Sequence, residues 1–218
     1  TAFNFDSDAT YDDGSCQVHI DNGDFFLTFN ATNSNVDVGN IIGQGAYTKA
    51  AWVNRNYGHS VKNNIISGNA AHALYAPFGQ GARLSAGHNG NYTIVQDPDS
   101  IPEAVWTFVA VTYDPNASSG TLNLYTAGVQ VAQATGVEPP ENHSTTYIGK
   151  YNNGGVWYGS IDEVAVWTKA LGSSEIVEIS DMETNMNATV DRGNYNSSEY
   201  LSGYWKMNEG EGNLLSDA

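Results

Sequence analysis

Short apolar and aromatic runs alternate along the chain with clusters of glycine, asparagine, proline and aspartate. The runs are rich in valine, isoleucine, tyrosine and tryptophan, and they recur about every ten residues, as the strands of a β-sandwich do. The pattern predicts strands at residues 24–29, 34–38, 47–54, 63–67, 71–76, 82–87, 91–95, 105–113, 121–126, 129–134, 144–149 and 158–167. So many short strands separated by turn residues indicate an all-β fold.

The residues between the runs have the chemistry of tight turns. Asn89-Gly90 is a hairpin dipeptide, and Gly128 can take the positive φ that a turn between two neighbouring strands requires. After the last strand, the residues from Ser173 to Ile179 favour a short helix with Ser173 as its N-cap. The turns therefore predict antiparallel neighbours and one short helix near the C-terminus.

The strand-like run from Trp157 to Trp167 carries an acid, Asp162, among β-branched and aromatic residues. Removing a carboxylate from water is costly unless backbone N–H groups, a cation or water meets it. Asp162 is therefore either a hydrogen-bonded structural acceptor or a metal ligand, and the sequence leaves both alternatives open.

Four segments together resemble a known family. They are the stretch from Gly159 to Ile176, with its Ile-Asp-Glu-Val-x-Val-Trp pattern, and residues 47–53, 106–114 and 122–131. In order and spacing they are similar to the LamG-like jelly-roll domains of the concanavalin A-like lectin and glucanase superfamily, over residues 24–180. The resemblance implies an antiparallel two-sheet jelly-roll sandwich, all-β apart from the one short C-terminal helix.

The same resemblance implies a calcium site. Domains of this superfamily often hold one Ca²⁺ through an acid of the late strand together with backbone carbonyls, and Asp162 matches that acid. Asp37, in the early run, can add a second oxygen of the kind that hard cations prefer. We therefore expect Ca²⁺ as the cofactor.

The C-terminal segment, residues 201–217, resembles a piece that normally opens such a domain as an early strand. In this chain the piece is missing at the front and present at the end. Either it begins a following repeat, or it returns within residues 200–218 as a permuted terminal strand that covers an unpaired sheet edge. We favour the returning strand.

The first residues, 1–20, differ in composition from the rest. Oxygen side chains alternate up to Gly14, as in a loop that turns several ligands toward calcium. The acids of this segment are Asp6, Asp8, Asp12 and Asp13. No glutamate closes the loop at EF-hand spacing, so an acidic, partly disordered linker is the alternative. The segment also resembles linker repeats of secreted multidomain proteins, but Phe3 replaces the first cysteine and leaves Cys16 without its expected partner. We place this linker before a domain at residues 21–218.

Charge limits the partners. Eight Lys+Arg against 24 Asp+Glu give a formal charge of −16 and a pI near 4.3. Nucleic acids and anionic membranes bind through cations, so neither is expected as a partner, although solubility alone would also explain an acidic surface. The lone Cys16 and the abundance of Tyr, Gly and Asn favour a secreted or cell-surface piece of a longer chain with neighbouring domains.

The motifs of catalysis are missing. Retaining glucanases need two acids on one strand face, about 5 Å apart. Asp162 and Glu163 are adjacent, so on a regular strand they would point to opposite faces. The sequence has no nucleophile elbow, and its five histidines lack close zinc-binding spacing. We therefore predict no catalytic residues.

One loop has the chemistry of a sugar site. Sugars stack on aromatic rings, while amides and acids bind their hydroxyls. The stretch from Tyr151 to Tyr158 has two glycines, two amides and flanking rings. The predicted ligand-binding residues are Tyr151, Asn152, Asn153, Trp157 and Tyr158, with His72 and Tyr75 as weaker candidates. The alternative is that Trp157 only covers the sandwich edge. The other tryptophans discussed, Trp52, Trp106 and Trp167, are expected in the core.

The sequence as a whole thus predicts a secreted, non-catalytic, calcium-binding module for glycan recognition or adhesion within a larger protein. A structural spacer without a ligand of its own is the main alternative. A glycoside hydrolase or lyase with an unrecognised site is a less favoured one.

Overall fold

The computed structural model describes residues 25–30, 34–57, 62–152, 154–181, 186–209 and 216–218. The predicted loop acids Asp6, Asp8, Asp12 and Asp13, and also Asn153, lie outside these residues. The strands are β1 (Leu27–Asn30), β2 (Val36–Asp37), β3 (Tyr47–Arg55), β4 (Ile66–Ser67), β5 (His72–Tyr75), β6 (Arg83–His88), β7 (Asn91–Ser100), β8 (Trp106–Asp114), β9 (Thr121–Thr126), β10 (Val129–Thr135), β11 (Tyr147–Ile148), β12 (Tyr158–Trp167) and β13 (Leu201–Trp205). The α-helix is α1 (Ser173–Ile179), and short 3₁₀ turns lie at Phe78–Gln80 and Ser198–Tyr200.

One layer is a seven-stranded antiparallel sheet in the order β1-β12-β3-β8-β9-β10. Its seventh strand, β13, pairs with β12 beyond the point where β1 ends, so the two short strands share one edge of β12. Val164 to Trp167 of β12 face β13, and Tyr158 to Ile161 face β1. The C-terminal segment thereby lies within the same sheet as β1.

The second layer consists of two three-stranded sheets, β2-β11-β4 and β5-β6-β7. They are joined between β4 and β5 by bridges of Asn64 with Tyr75 and of Gly68 with His72. The Ile65 backbone N–H also donates to the Leu74 carbonyl at 2.9 Å. The layer therefore runs continuously from β2 to β7 and stacks on the larger sheet.

The core between the layers is made by alternate residues of both. Val53, Val111 and Ile161 from the large sheet are fully buried against Leu74 and Leu84 of the second layer. Because strand side chains alternate between faces, the neighbours of Leu74 and Leu84 point to the outer side of the second layer. Tyr75, Arg83 and Ser85 are such neighbours.

A second apolar cluster covers the other face of the large sheet. Trp52, Phe108 and Trp167 lie there beneath Ile176 and Ile179 of α1. The helix starts one residue earlier than predicted, because the cap is Gly172 rather than Ser173. The Gly172 N–H donates to the Glu175 carboxylate at 3.0 Å, which satisfies an amide that the helix leaves without a partner.

Strand β12 has a bulge between Asp162 and Ala165, where Glu163 takes a φ of 50°. Glu163 accepts a hydrogen bond from Tyr204 of the outer cluster, and Asp162 pairs across the sheet with Trp52 of the same cluster. The bulge thus places both acids toward one face, whereas the regular strand assumed from the sequence would have separated them. Both acids are buried beneath the C-terminal segment.

The predicted fold class is confirmed: the protein is an antiparallel, jelly-roll-like β-structure with one short helix near the C-terminus. Each predicted strand overlaps an observed one, and β7 runs five residues further than predicted, to Ser100. No helix in the described part of the chain is long and apolar enough to span a membrane.

Candidate functional site

Four hydroxyl-bearing residues from distant parts of the chain meet at the outer side of the second layer. We call Tyr75, Tyr92, Thr93 and Tyr151 the tyrosine patch. The hydroxyls of Tyr92 and Tyr151 are 2.6 Å apart, with ring centroids 5.3 Å apart at 65°. The hydroxyl of Tyr75 lies 2.5 Å from Oγ1 of Thr93. Thr93 is exposed, and both Tyr92 and Tyr151 are half-buried.

A tight turn positions Tyr151. Its backbone N–H and C=O exchange hydrogen bonds with Gly154 at 3.0 and 2.9 Å. Asn152 and Gly155 take positive φ values of 44° and 66°, conformations that asparagine and glycine tolerate best. The Gly155 carbonyl then accepts hydrogen bonds from the backbone and side-chain N–H groups of Asn64 at 3.0 and 2.8 Å. The turn is thereby fixed to the second layer, with the Tyr151 ring beside β7.

The phenol of Tyr92 is neutral at physiological pH. Burial, together with the hydrogen bond and charge of Tyr151 and the charge of Tyr75, raises the pKa of Tyr92 to about 12. A neutral phenol can both donate and accept a hydrogen bond. The patch therefore offers polarised hydroxyls beside partly exposed ring surface, which suits a ligand with apolar faces and many hydroxyl groups.

Polar side chains continue from the patch along the outer side of β6 and β7. The Gln96 amide donates to Gln80 Oε1 at 3.1 Å and to Ser85 Oγ at 3.0 Å. Ser85 lies directly across from Tyr75 in the sheet. The tyrosine patch is thus one end of a longer polar surface.

The structure separates the predicted ligand residues into two groups. Tyr151, exposed Asn152 and Tyr75 lie at or beside the tyrosine patch. Trp157 and His72 are fully buried between the layers, and the Trp157 indole donates to the Ser160 carbonyl at 3.2 Å.

Tyr158 is half-buried on β12 of the other layer, paired with Asn30. The ligand role of each of these residues stays a prediction. Only the first group shares one surface.

Tyr92 and Thr93 were not among the sequence candidates. Their signal was a tyrosine flanked by Asn91 and Thr93 directly after the Asn89-Gly90 turn. Their pairing with residues 59 and 18 positions away depends on the packing of the second layer.

The predicted calcium ligands lie in different sheets. Asp162 of β12 is 3% exposed, and its Oδ1 accepts the Glu163 N–H at 2.9 Å. Asp37 of β2 is exposed, and its Oδ1 accepts the Gly39 N–H at 3.0 Å and the Thr145 hydroxyl. Among the residues that the structure describes, no group of three or more His, Cys, Asp or Glu side chains is arranged to hold a metal.

A buried chain of nitrogen atoms lies between the layers, away from the patch. The Lys49 amine is 3.1 Å from the Ile66 carbonyl and 3.2 Å from His72 Nδ1. His72 Nε2 is in turn 3.1 Å from Nε2 of His143, which reaches the surface. Burial lowers the pKa of Lys49 and of both histidines. Each of these three side chains therefore loses its proton more readily than it would in water.

Solved structures share this fold. A proposed carbohydrate binding protein from Bacteroides ovatus superposes with a TM-score of 0.67 at 19% identity, over 88% of this chain and 55% of that one. Domain 4 of AbnA, an extracellular arabinanase from Geobacillus stearothermophilus, solved with arabinotriose, has a TM-score of 0.56 at 17% identity, over 72% and 76% of the two chains.

The CBM40 of a Ruminococcus gnavus IT-sialidase, bound to α2,3 sialyllactose, has a TM-score of 0.54 at 13% identity, over 72% of this chain and 98% of that one. At identities below 20%, these superpositions show a common fold. The chain spans about half of the Bacteroides ovatus protein.

No curated protein matches the sequence. A family profile does match, over residues 29–177, which include the strands from β3 to β12 and most of α1. Because this match covers well over half of the chain, the protein belongs to the Laminin_G_3 family of the concanavalin A-like lectin/glucanases superfamily.

Proposed function

We propose that this domain binds a carbohydrate at the tyrosine patch and does not itself catalyse a reaction. The observation that carries the proposal is the Tyr92–Tyr151 pair, whose hydroxyls are 2.6 Å apart on a partly exposed surface. The CH face of a pyranose or furanose ring packs against such rings, and its hydroxyls exchange hydrogen bonds with the phenols.

The related structures support this proposal. The arabinanase domain was solved with arabinotriose and the sialidase CBM40 with α2,3 sialyllactose. The first is one domain of an arabinanase, and the second is the CBM40 of a sialidase. The superfamily also includes glucanases, so the argument against catalysis rests on the patch itself.

The polar groups of the patch are suited to binding and not to acid–base catalysis. Glycoside hydrolysis needs a pair of carboxyl groups flanking the bond. In the described part of the chain, the patch hydroxyls bond to one another and to no carboxylate. Asp162 and Glu163 are buried under the outer cluster, on the other layer.

The test is glycan binding by an array, followed by titration calorimetry. Tyr92→Ala and Tyr151→Ala are each expected to weaken binding of an array-positive glycan by about tenfold or more, because a buried aromatic contact with its hydrogen bond contributes about 1–3 kcal/mol. Tyr200→Ala is the matched control, since this tyrosine is 40% exposed near β13. A structural spacer would bind nothing on the array.

We also propose that the domain is extracellular and binds calcium. The fit of the described acids is partial: Asp162 already accepts a backbone hydrogen bond, while Asp37 is exposed with an acceptor oxygen, Oδ2, that takes no hydrogen bond from a described residue. Asp37 and backbone carbonyls would then hold the ion, whose role would be to stabilise loops.

A further inference from the structure

The few basic residues of this acidic chain are mostly engaged in contacts. Arg55 pairs with Glu103 at 3.0 Å, and Lys169 with Glu175 at 3.7 Å. Lys49 is buried between the layers. These contacts leave only part of the eight lysines and arginines to interact with a ligand.

Of the remaining five basic residues, three make a polar or ring contact through their side chains with other described residues and two do not. Arg192 donates to the Glu178 carbonyl at 3.2 Å, and the amines of Lys150 and Lys206 each lie 5.5 Å from the centre of a tyrosine ring. Lys62 and Arg83 are different. Both are exposed, and neither forms an ion pair, a hydrogen bond through its side chain or a ring contact with any described residue.

Lys62 lies beside the tyrosine patch. A methyl group placed on Gly155 would be 3.3 Å from the Lys62 Cβ and 3.7 Å from the Tyr151 Cβ, so the two side chains start next to each other. The Lys62 side chain is exposed at this position.

Arg83 lies at the other end of the same polar surface. It precedes Leu84, which points into the core, so the arginine points outward on the face that holds Ser85 and Tyr75. Its strand partner is Ser100. Lys62 and Arg83, which have no ion-pair partner among the described residues, thus flank the surface that contains the patch.

The acids near Arg83 in the sheet form no ion pair with it among the described residues. Asp97 is 4% exposed, and its Oδ2 accepts the Thr126 hydroxyl at 2.6 Å, on the side of the large sheet. Asp99 is exposed next to Ser100 but forms no ion pair with a described cation. Two exposed cations that form no ion pair with a described residue are thus found at one surface of a chain with charge −16.

We propose that the ligand of the tyrosine patch is an acidic oligosaccharide, whose carboxylate or sulfate groups contact Lys62 and Arg83 while a sugar ring packs on Tyr92 and Tyr151. This proposal rests on the proposed carbohydrate-binding function. Charge-assisted hydrogen bonds at partly exposed sites select a charged sugar over a neutral one of the same shape.

The test uses ligand pairs that differ only in charge. Titration calorimetry of the whole chain compares oligogalacturonate with its methyl ester, and a sulfated carrageenan oligosaccharide with its desulfated form. The two pairs distinguish carboxylate from sulfate. The charged member of at least one pair is expected to bind about tenfold or more tightly than its neutral partner, and more weakly as salt rises.

The variants are Lys62→Gln and Arg83→Gln, each expected to reduce binding of the charged member about three- to tenfold and to leave the neutral member unchanged. Lys206→Gln is the control, because its amine lies over Tyr204 near the other layer. Thermal unfolding checks that all three remain folded.

The possible results separate the two proposals. Equal affinity for charged and neutral members, or equal losses in the Lys206 variant, would overturn the acidic-ligand proposal while carbohydrate binding stands. Absence of binding to every oligosaccharide, together with an empty glycan array, would overturn both.

Discussion

At the scale of single residues, the least expected feature is the line from Lys49 through His72 to His143. One proton arrangement satisfies it: the Lys49 amine donates to His72 Nδ1, His72 Nε2–H donates to His143 Nε2, and His143 Nδ1–H faces the Glu141 carbonyl at 3.4 Å. An added proton on either histidine would set two N–H groups against each other. The line is therefore stable only when both imidazoles are neutral.

His88 nearby makes the pH dependence testable. Its Nδ1 lies 2.9 Å from the Glu138 carbonyl and its Nε2 2.7 Å from the Tyr47 hydroxyl. Burial, with a smaller contribution from the charge of Lys49, lowers the pKa of His88 from 6.5 to about 4. Between these values the unfolded chain binds a proton that the folded chain does not, so stability falls as pH drops.

We expect this histidine alone to remove on the order of 3 kcal/mol of unfolding free energy across that interval, a loss that is complete near the lower pKa. Urea unfolding at about pH 7 and about pH 4 measures it, and His88→Gln, which keeps a donor and an acceptor, should flatten the slope. An unchanged slope in that variant would show that other groups carry the acid sensitivity.

At the scale of elements, α1 covers the outer face of the large sheet with only two buried side chains of its apolar side. Ile176 and Ile179 are fully buried against the outer side of the large sheet, while Val177 is 57% exposed. Because isolated helices of this length are unstable, packing of this face holds the helix in place.

Ile176→Ala should therefore lower the unfolding free energy by about 2–5 kcal/mol, through lost burial and the cavity left behind. Val177→Ala, one residue away on the exposed side, should change it by about 0.5 kcal/mol or less. Chemical denaturation of the two variants gives the comparison, and similar losses from both would show that α1 does not pack as described.

The Tyr151 turn offers a second matched pair. Gly155 has a φ of 66°, and a methyl group there would lie 2.6 Å from the Asn64 amide, whereas nothing lies within 4 Å of one on Gly154. Gly155→Ala should cost about 1–2 kcal/mol of strain, relieved by moving the turn, and should weaken glycan binding. Gly154→Ala should bind as the natural chain does. Calorimetry with the array-positive glycan distinguishes the two variants.

Most elements could be predicted because their signals are local. The alternation in residues 47–54 and 105–113 places two strands within a residue of β3 and β8, and the turn at Asn89-Gly90 places the start of β7. The bulge at Glu163 could not be predicted, because Tyr204, 41 residues later, supports it. The contact of Tyr92 with Tyr151 likewise depends on how the layers pack. The same packing buries Trp157, which the sequence placed at the end of an aromatic loop.

At the scale of the whole molecule, the net charge of −16 acts against compactness through self-repulsion. Raising the NaCl concentration from about 0.05 to about 0.5 M shortens the Debye length severalfold, so the thermal midpoint should rise. Binding of an acidic oligosaccharide at Lys62 and Arg83 should weaken over the same range. Opposite salt trends in differential scanning calorimetry and in binding would show that the basic surface is local, and parallel trends would contradict that arrangement.

The calcium proposal makes a prediction that screening cannot reproduce. A specifically bound ion stabilises the folded state by about 2.7 kcal/mol when its free concentration is a hundredfold above the dissociation constant. CaCl2 should therefore raise the thermal midpoint more than MgCl2 at equal ionic strength, and EDTA should remove the difference. Asp37→Asn should reduce the calcium effect.

Asp114→Asn is the control, because Asp114, like Asp37, accepts a hydrogen bond from the backbone N–H two residues later, at 2.8 Å against 3.0 Å. Losing that local acceptor charge affects both variants alike, so any additional loss in Asp37→Asn reports on the ion. Equal shifts in the two chloride salts would mean that divalent cations only screen the acidic surface, since a site selective for Ca²⁺ must distinguish it from the smaller, more strongly hydrated Mg²⁺.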